Sequence, residues 1–315
     1  MNYMSTTKDI VSVKDLTISY QKGKKTIENC SFSVQLGEVL GLLGSNGAGK
    51  STILKTLAGF NQDFKGTITL FGFNLTDTES IKSKIAFVPQ YYSLFLEFTV
   101  SENLSYMLDA YNIHGDNKIK RMNYLLETFL LKPFENMRAR RLSGGYRRLL
   151  NIALSFVVEP ELIFFDEPTA GLDQKTRKLF INFILSLKKL KKTIILTTHY
   201  LDEAQILCDK MVLLNMGKVV ASGKIDELIK TYGGHYQIYL VFNEFHKDSI
   251  SFFKDLSSCS FVSAENNVVN LTSKQSDISN ALFEITGVLK SKKLNIKDID
   301  IREPSLAEVF GEVIR

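Results

Sequence analysis

The run Gly44-Ser45-Asn46-Gly47-Ala48-Gly49-Lys50-Ser51 constrains this chain more than any other stretch. It fits G-x-x-x-x-G-K-[ST], a pattern whose meaning depends on what flanks it. Upstream, Val39 to Leu43 is short and continuously apolar, as a strand buried on both faces reads. Downstream, Leu54, Leu57 and Ala58 fall at helical spacing, so a helix should start at Lys50. Glycines let backbone N–H groups turn inward around phosphate oxygens, and a helix N-terminus adds partial positive charge. Lys50 then offers a point charge to β- and γ-phosphates, and Ser51 a hydroxyl to Mg²⁺.

Phosphate chemistry needs acidic groups as well. Leu162-Ile163-Phe164-Phe165 runs straight into Asp166-Glu167-Pro168. An apolar strand ending in two carboxylates delivers them to the carboxyl edge of a sheet, where ligands bind in α/β folds. Asp166 is suited to hold Mg²⁺ through water, and Glu167 to orient or deprotonate an attacking water.

Further strands are expected at Ile10–Tyr20, Ile27–Val34, Thr67–Phe71, Ile85–Val88, Ile194–Thr197 and Met211–Leu214. Helical stretches fall at Gln174–Leu190 and Leu201–Cys208. From Thr99 to about Val158 the pattern is helix after helix, opened by a capping box in which Glu102 follows Thr99 by three residues. Strands separated by helices give a parallel α/β sheet, here with a helical insertion. Gly233-Gly234 reads as a boundary, and beyond it the order is βαββαβ with one more helix from Ser305.

Charge and cysteine usage narrow the setting. The chain carries 39 basic and 34 acidic residues, a net charge of +5, too weak for a dedicated nucleic-acid binder. From Tyr232 on there are 9 basic and 11 acidic residues, so the positive excess lies entirely in the front part. The longest uncharged stretch, 231–243, is too short for a membrane span, and the first ten residues lack a signal-peptide pattern. Cys30, Cys208 and Cys259 are scattered and odd in number, which suits small hydrophobes in a reducing cytoplasm.

With these motifs in place, the sequence resembles the ATP-binding cassette family. Leu142-Ser143-Gly144-Gly145 matches that family's signature motif; Gln90 stands at its Q-loop glutamine, Ala170-Gly171-Leu172-Asp173 at its D-loop and His199 at its switch histidine. Tyr20, closing the first strand, resembles the aromatic that stacks on adenine. The likeness covers about 8–230, with Tyr146 departing from the family's frequent glutamine. It implies a P-loop NTPase cassette of α/β class with a mixed sheet, an antiparallel β subdomain and a helical insertion. Residues 8–232 would form this nucleotide-binding domain, with the helical part at about 92–160. Residues 235–315 would form a small α+β accessory or regulatory domain of ferredoxin-like order.

The resemblance also implies a site. ATP would meet Tyr20, Gly44, Ser45, Asn46, Gly47, Ala48, Gly49, Lys50, Ser51 and Thr52 of one protomer. Ser143, Gly144, Gly145 and Asp173 would come from the other protomer of an ATP-dependent head-to-tail homodimer. Ser51, Gln90 and Asp166 would serve Mg²⁺, and Glu167, His199, Gln90 and Lys50 would carry catalysis.

Three stretches look like the export-type branch, which pairs with ABC-2 type permeases of drug, antibiotic and lipid exporters. They are Ser143 to Leu149, Thr198 to Ala204, and Pro304-Ser305-Leu306-Ala307-Glu308-Val309-Phe310. The implied partner is a separate integral-membrane permease, with no nucleic acid, and the chain would sit peripherally on the cytoplasmic face of the membrane. The aromatic segment Tyr91 to Phe98 is divided between core and a groove for a permease helix. Arg138, Arg140, Arg141, Arg147 and Arg148 read mainly as a solvated face, and Lys188, Lys189, Lys191 and Lys192 as a solvated helix end. The alternative is a soluble ATPase of the same family acting on ribosomes or another cytoplasmic complex. Such members usually carry two cassettes, and one is present here.

Overall fold

The computed structural model describes residues 9–21, 24–77, 79–232, 236–244 and 247–314. The chain divides into two compact units, Met1–Ile225 and Asp226–Arg315.

The first unit runs β1 (Asp9–Gln21), β2 (Lys24–Gln35), β3 (Val39–Gly44), α1 (Lys50–Leu57), β4 (Lys65–Leu70), β5 (Phe73–Asn74), α2 (Glu79–Lys82) and β6 (Ile85–Val88). It continues with α3 (Val100–Ala110), α4 (Gly115–Thr128), α5 (Gly144–Ser155), β7 (Leu162–Asp166), α6 (Gln174–Lys189), β8 (Thr193–Thr198), α7 (Leu201–Leu207), β9 (Lys210–Asn215) and β10 (Lys218–Lys224). A six-stranded sheet has the order β10-β9-β3-β8-β7-β6, parallel throughout except at the antiparallel β10–β9 edge. A second sheet, β2-β1-β4-β5, is wholly antiparallel.

Every residue of β3, β7 and β8 is buried, as the apolar runs in β3, Leu162–Phe165 and Ile194–Leu196 lead one to expect, and the burial extends to Asp166, Thr193, Thr197 and Thr198. The core joins both sheets through α1: Val11, Leu16 and Ile68 of the antiparallel sheet share one cluster with Leu40, Leu42 and Phe164 and with Ile53, Leu54 and Leu57. The helical insertion opens as its sequence requires. Thr99 Oγ1 accepts from the Glu102 N–H at 3.1 Å, while Glu102 Oε2 accepts from the Thr99 N–H at 2.7 Å.

In the second unit, α8 (Ile225–Tyr232) precedes β11 (Tyr236–Phe242), α9 (Ser251–Lys254), β12 (Ser260–Glu265), β13 (Val268–Ser273), α10 (Ile278–Ser291), β14 (Ile296–Arg302) and α11 (Leu306–Ile314). Its antiparallel sheet has the order β12-β13-β11-β14 and packs Ile238, Leu240, Val269 and Leu271 against Ala281, Ile285 and Leu289 of α10. The first helix of the expected βαββαβ order is only a 3₁₀ turn, Lys247–Ile250, followed by the single turn α9. The reason lies just beyond it. The Glu284 carboxylate accepts from the backbone N–H groups of Ser257 (2.9 Å) and Ser258 (3.1 Å), which holds that segment out of the helix.

All three cysteines are buried free thiols. Burial pushes the Cys30 thiol up to about 12 and Cys259 to about 11, and raises Cys208 likewise. Among the described residues, no helix is long and apolar enough to cross a membrane.

Candidate nucleotide site

Strand register brings the separate motifs to one edge. Leu43 pairs with Thr198, and Asp166 pairs with Thr197, so β3, β7 and β8 end side by side. The loop 44–49, the carboxylates 166–167 and His199 all leave the sheet there.

The loop turns at Gly47 and Gly49, both with positive φ (81° and 100°). Gly49, the N-cap of α1, takes a backbone conformation that L side chains rarely adopt, and a Cβ there would also displace Ile27 Cδ1, 2.2 Å away. Lys50 is buried and donates from Nζ to the carbonyls of Gly44 (2.8 Å) and Ser45 (3.1 Å). Burial holds its pKa below 10.5, with the nearby charges of Glu167 and Asp166 opposing that shift.

Ser51 donates its hydroxyl to Asp166 Oδ1 at 2.7 Å, and the buried Thr197 hydroxyl donates to the same oxygen at 2.9 Å. The Glu167 N–H in turn donates to Thr197 Oγ1 at 2.8 Å. Glu167 itself has φ 44°, left-handed for a residue with a long side chain. Gln90 Nε2 donates to Glu167 Oε2 at 3.0 Å, and His199 Nδ1 stands 3.7 Å from Glu167 Oε1. Ser51, Gln90, Asp166, Glu167 and His199, proposed from four separate places in the sequence, therefore form one connected cluster beside Lys50. Tyr20 belongs to β1, but its side chain lies outside the described residues.

Ser143 and Asp173 are placed differently. Ser143 is the N-cap of α5 and accepts from the Tyr146 N–H at 3.4 Å. Asp173 caps α6, accepting from the N–H groups of Lys175 and Thr176 (3.1 Å each) and from the Thr176 hydroxyl (2.7 Å). The Thr176 hydroxyl bond is the main cause that holds this carboxyl below its usual value. Among the described residues, no hydrogen bond or ion pair joins Ser143 or Asp173 to the Lys50 cluster. Tyr146 packs its ring against Phe134, with centroids 4.3 Å apart.

Two groups of residues were not singled out by the sequence. Thr197 organises both carboxylates; only its position in Thr197-Thr198-His199 hinted at this. Glu203, buried in α7, accepts from Thr169 (2.6 Å), from Thr198 (3.5 Å) and from the Arg177 guanidinium. Two basic residues depart from the solvated surface expected of them. Arg148 is buried, because it faces backbone carbonyls rather than water. Lys188 bonds Asp209 at 2.6 Å and the Leu207 carbonyl at 3.2 Å.

A strand–loop–helix with a buried lysine, facing paired carboxylates at a sheet's carboxyl edge, defines a nucleotide-hydrolysing cassette. The model of the ABC transporter family matches residues 27–170. The chain is 40% identical over 222 residues to the Nod factor export ATP-binding protein I of Ralstonia nicotianae, covering 70% of this chain and 68% of that protein. It is 30% identical over 291 residues to the linearmycin resistance ATP-binding protein LnrL of Bacillus subtilis, covering 91% and 93%. A solved ATP-binding cassette, dimeric in a post-hydrolysis state with ADP and Pi, is 26% identical with a TM-score of 0.61, over 68% of this chain and 98% of that one. The chain belongs to the ABC transporter family and is one of its ATPases.

Proposed function

We propose that this chain is the ATPase subunit of an exporter, closing as a homodimer on two MgATP and driving a separate membrane permease. The observation that carries the reading is the continuous chain of contacts Ser51–Asp166–Thr197–Glu167–Gln90, with His199 beside Glu167. Glu167 is the base for the attacking water, His199 and Lys50 meet the γ-phosphate, and Gln90 orients the water. The backbone of 44–52 wraps the phosphates, and Tyr20 stacks on adenine.

The Ser51 hydroxyl and the Asp166 carboxylate, 2.7 Å apart, are the hard oxygen donors Mg²⁺ takes alongside water and phosphate. Mg²⁺ would supply charge neutralisation there, with Gln90 close by. Ser143 opens α5 and, among the described residues, makes no hydrogen bond to its own chain's phosphate loop, which suits a role on the partner's ATP. Gly144, Gly145 and Asp173 belong to the same face of that reading.

The exporter assignment rests on the kinship with Nod factor export and linearmycin resistance subunits. The permease would dock near the exposed aromatic surface after Gln90, where Tyr91 is 81% exposed and Phe95 and Leu96 about half exposed. That partner would hold the chain at the cytoplasmic membrane face. Residues 235–315 serve as an accessory or regulatory domain.

Glu167→Gln should abolish ATP turnover while nucleotide binding persists; turnover at the parental rate would refute the base assignment. Affinity purification from gently solubilised membranes should recover a stoichiometric polytopic protein. Recovery with ribosomes instead would overturn the exporter reading.

A further inference from the structure

We infer that Arg148 is a positioning residue that clamps the backbone on both sides of the Gln90–Glu167 pair and makes the Q-loop travel with the signature helix α5. The inference rests on the roles of Gln90 and Glu167 proposed above.

Arg148 lies on α5, whose N-cap is Ser143, and is 3% exposed. Its Nη1 donates to the carbonyls of Pro89 (2.7 Å) and Gln90 (3.1 Å), and its Nε donates to the carbonyl of Pro168 (3.0 Å). Pro168 follows Glu167 directly. One planar guanidinium therefore holds the main chain that carries the glutamine and the main chain that carries the carboxylate. The distance between those two segments sets the 3.0 Å contact from Gln90 Nε2 to Glu167 Oε2. A buried cation bonded to three carbonyls is costly to place there, and carbonyls left without it are costly too. No carboxylate bonds Arg148 among the described residues, so it is not half of a structural ion pair.

The same helix face continues the seam. Asn151 and Ser155, three and seven residues on, meet the same segment: Asn151 Oδ1 accepts from the Ser93 N–H at 2.8 Å, and Ser155 Oγ donates to the Phe87 carbonyl at 3.0 Å. From the other side, the Tyr92 hydroxyl donates to the Gly144 carbonyl at 3.3 Å. Residues 87–93 are thus stitched to α5 along its length. A shift of α5 carries Gln90 with it, so the helix that offers Ser143 to one ATP also sets the water-orienting group at the other.

The test uses the full chain with Arg148→Met, Arg148→Lys, Arg148→Ala and Ser155→Ala. Because a misplacement of about 1 Å can cost about 10²-fold, Arg148→Met should lose about 10- to 100-fold in kcat, with the Kd of a fluorescent ATP analogue within about threefold of the parent. A lysine supplies a point charge without the fork, so Arg148→Lys should not recover kcat, whereas added guanidinium ion should restore part of the rate of Arg148→Ala. Ser155→Ala removes a bond at the far end of the seam and should keep the parental kcat. Parental kcat in Arg148→Met, full recovery by lysine, or an equal loss in Ser155→Ala would overturn the inference. Glu167→Gln run in parallel separates the two readings. If it is inactive while Arg148→Met is fully active, the clamp fails alone; if it is active, the base assignment has failed first.

Discussion

Gly145→Ala tests why the second signature glycine is needed. A Cβ at Gly145 would lie 2.4 Å from Thr176 Oγ1, 2.8 Å from its Cγ2 and 3.1 Å from its Cβ. Turning Thr176 about χ1 cannot relieve this, since both γ atoms are already too close. The hydroxyl is moreover tied to Asp173 Oδ2 at 2.7 Å, within the cap of α6. Forcing a methyl into such a contact costs about 1–3 kcal/mol, partly offset by alanine's better helix propensity. Thr176→Ala removes both γ atoms and one capping bond, costing about 1 kcal/mol. The double variant keeps only the 3.1 Å approach of the two Cβ atoms, so it should be more stable than the sum of the singles by about 1–2 kcal/mol. Urea unfolding of the parent, both singles and the double closes this cycle. Additivity within about 0.5 kcal/mol would refute a steric role for Gly145 against α6.

Glu203→Gln takes away the nearer carboxylate of Arg177, leaving it only Asp202 at 3.9 Å, and weakens the bonds from Thr169 and Thr198. Because Arg177 is only part-buried, the loss should be about 2–3 kcal/mol in denaturation, below that of a fully buried pair. The ATPase rate should fall as well, since Thr198 precedes His199. Cys30, Cys208 and Cys259, with thiols raised by burial, should resist iodoacetamide at neutral pH in the native protein and react in urea, as mass spectrometry would register.

How much of this was legible in the sequence depended on the kind of signal. The buried strands β3 and β7 were plain because full burial on both faces leaves a continuous apolar run, and the start of α3 because a capping box is local. The lone β10 was not expected: Lys218 to Lys224 mixes lysines, serine and glycine on an edge strand of partial burial. The single turn α9 depends on Glu284, which lies beyond the reach of local pattern. Among site residues, short motifs carried Lys50, Ser51, Asp166 and Glu167. The positive φ of Glu167 and the bonds of Thr197, Arg148 and Glu203 arise only once distant strands and helices meet. Arg148 in particular sits among four other arginines whose run reads as surface.

The most direct test of the account is the association state of Glu167→Gln by sedimentation velocity, with MgATP and with MgADP. A catalytically blocked cassette whose Ser143 caps its partner's nucleotide should be a dimer with MgATP and a monomer with MgADP. Ser143→Arg in the same background should stay monomeric with both. A monomer with saturating MgATP, or a dimer indifferent to both nucleotide and Ser143, would contradict it.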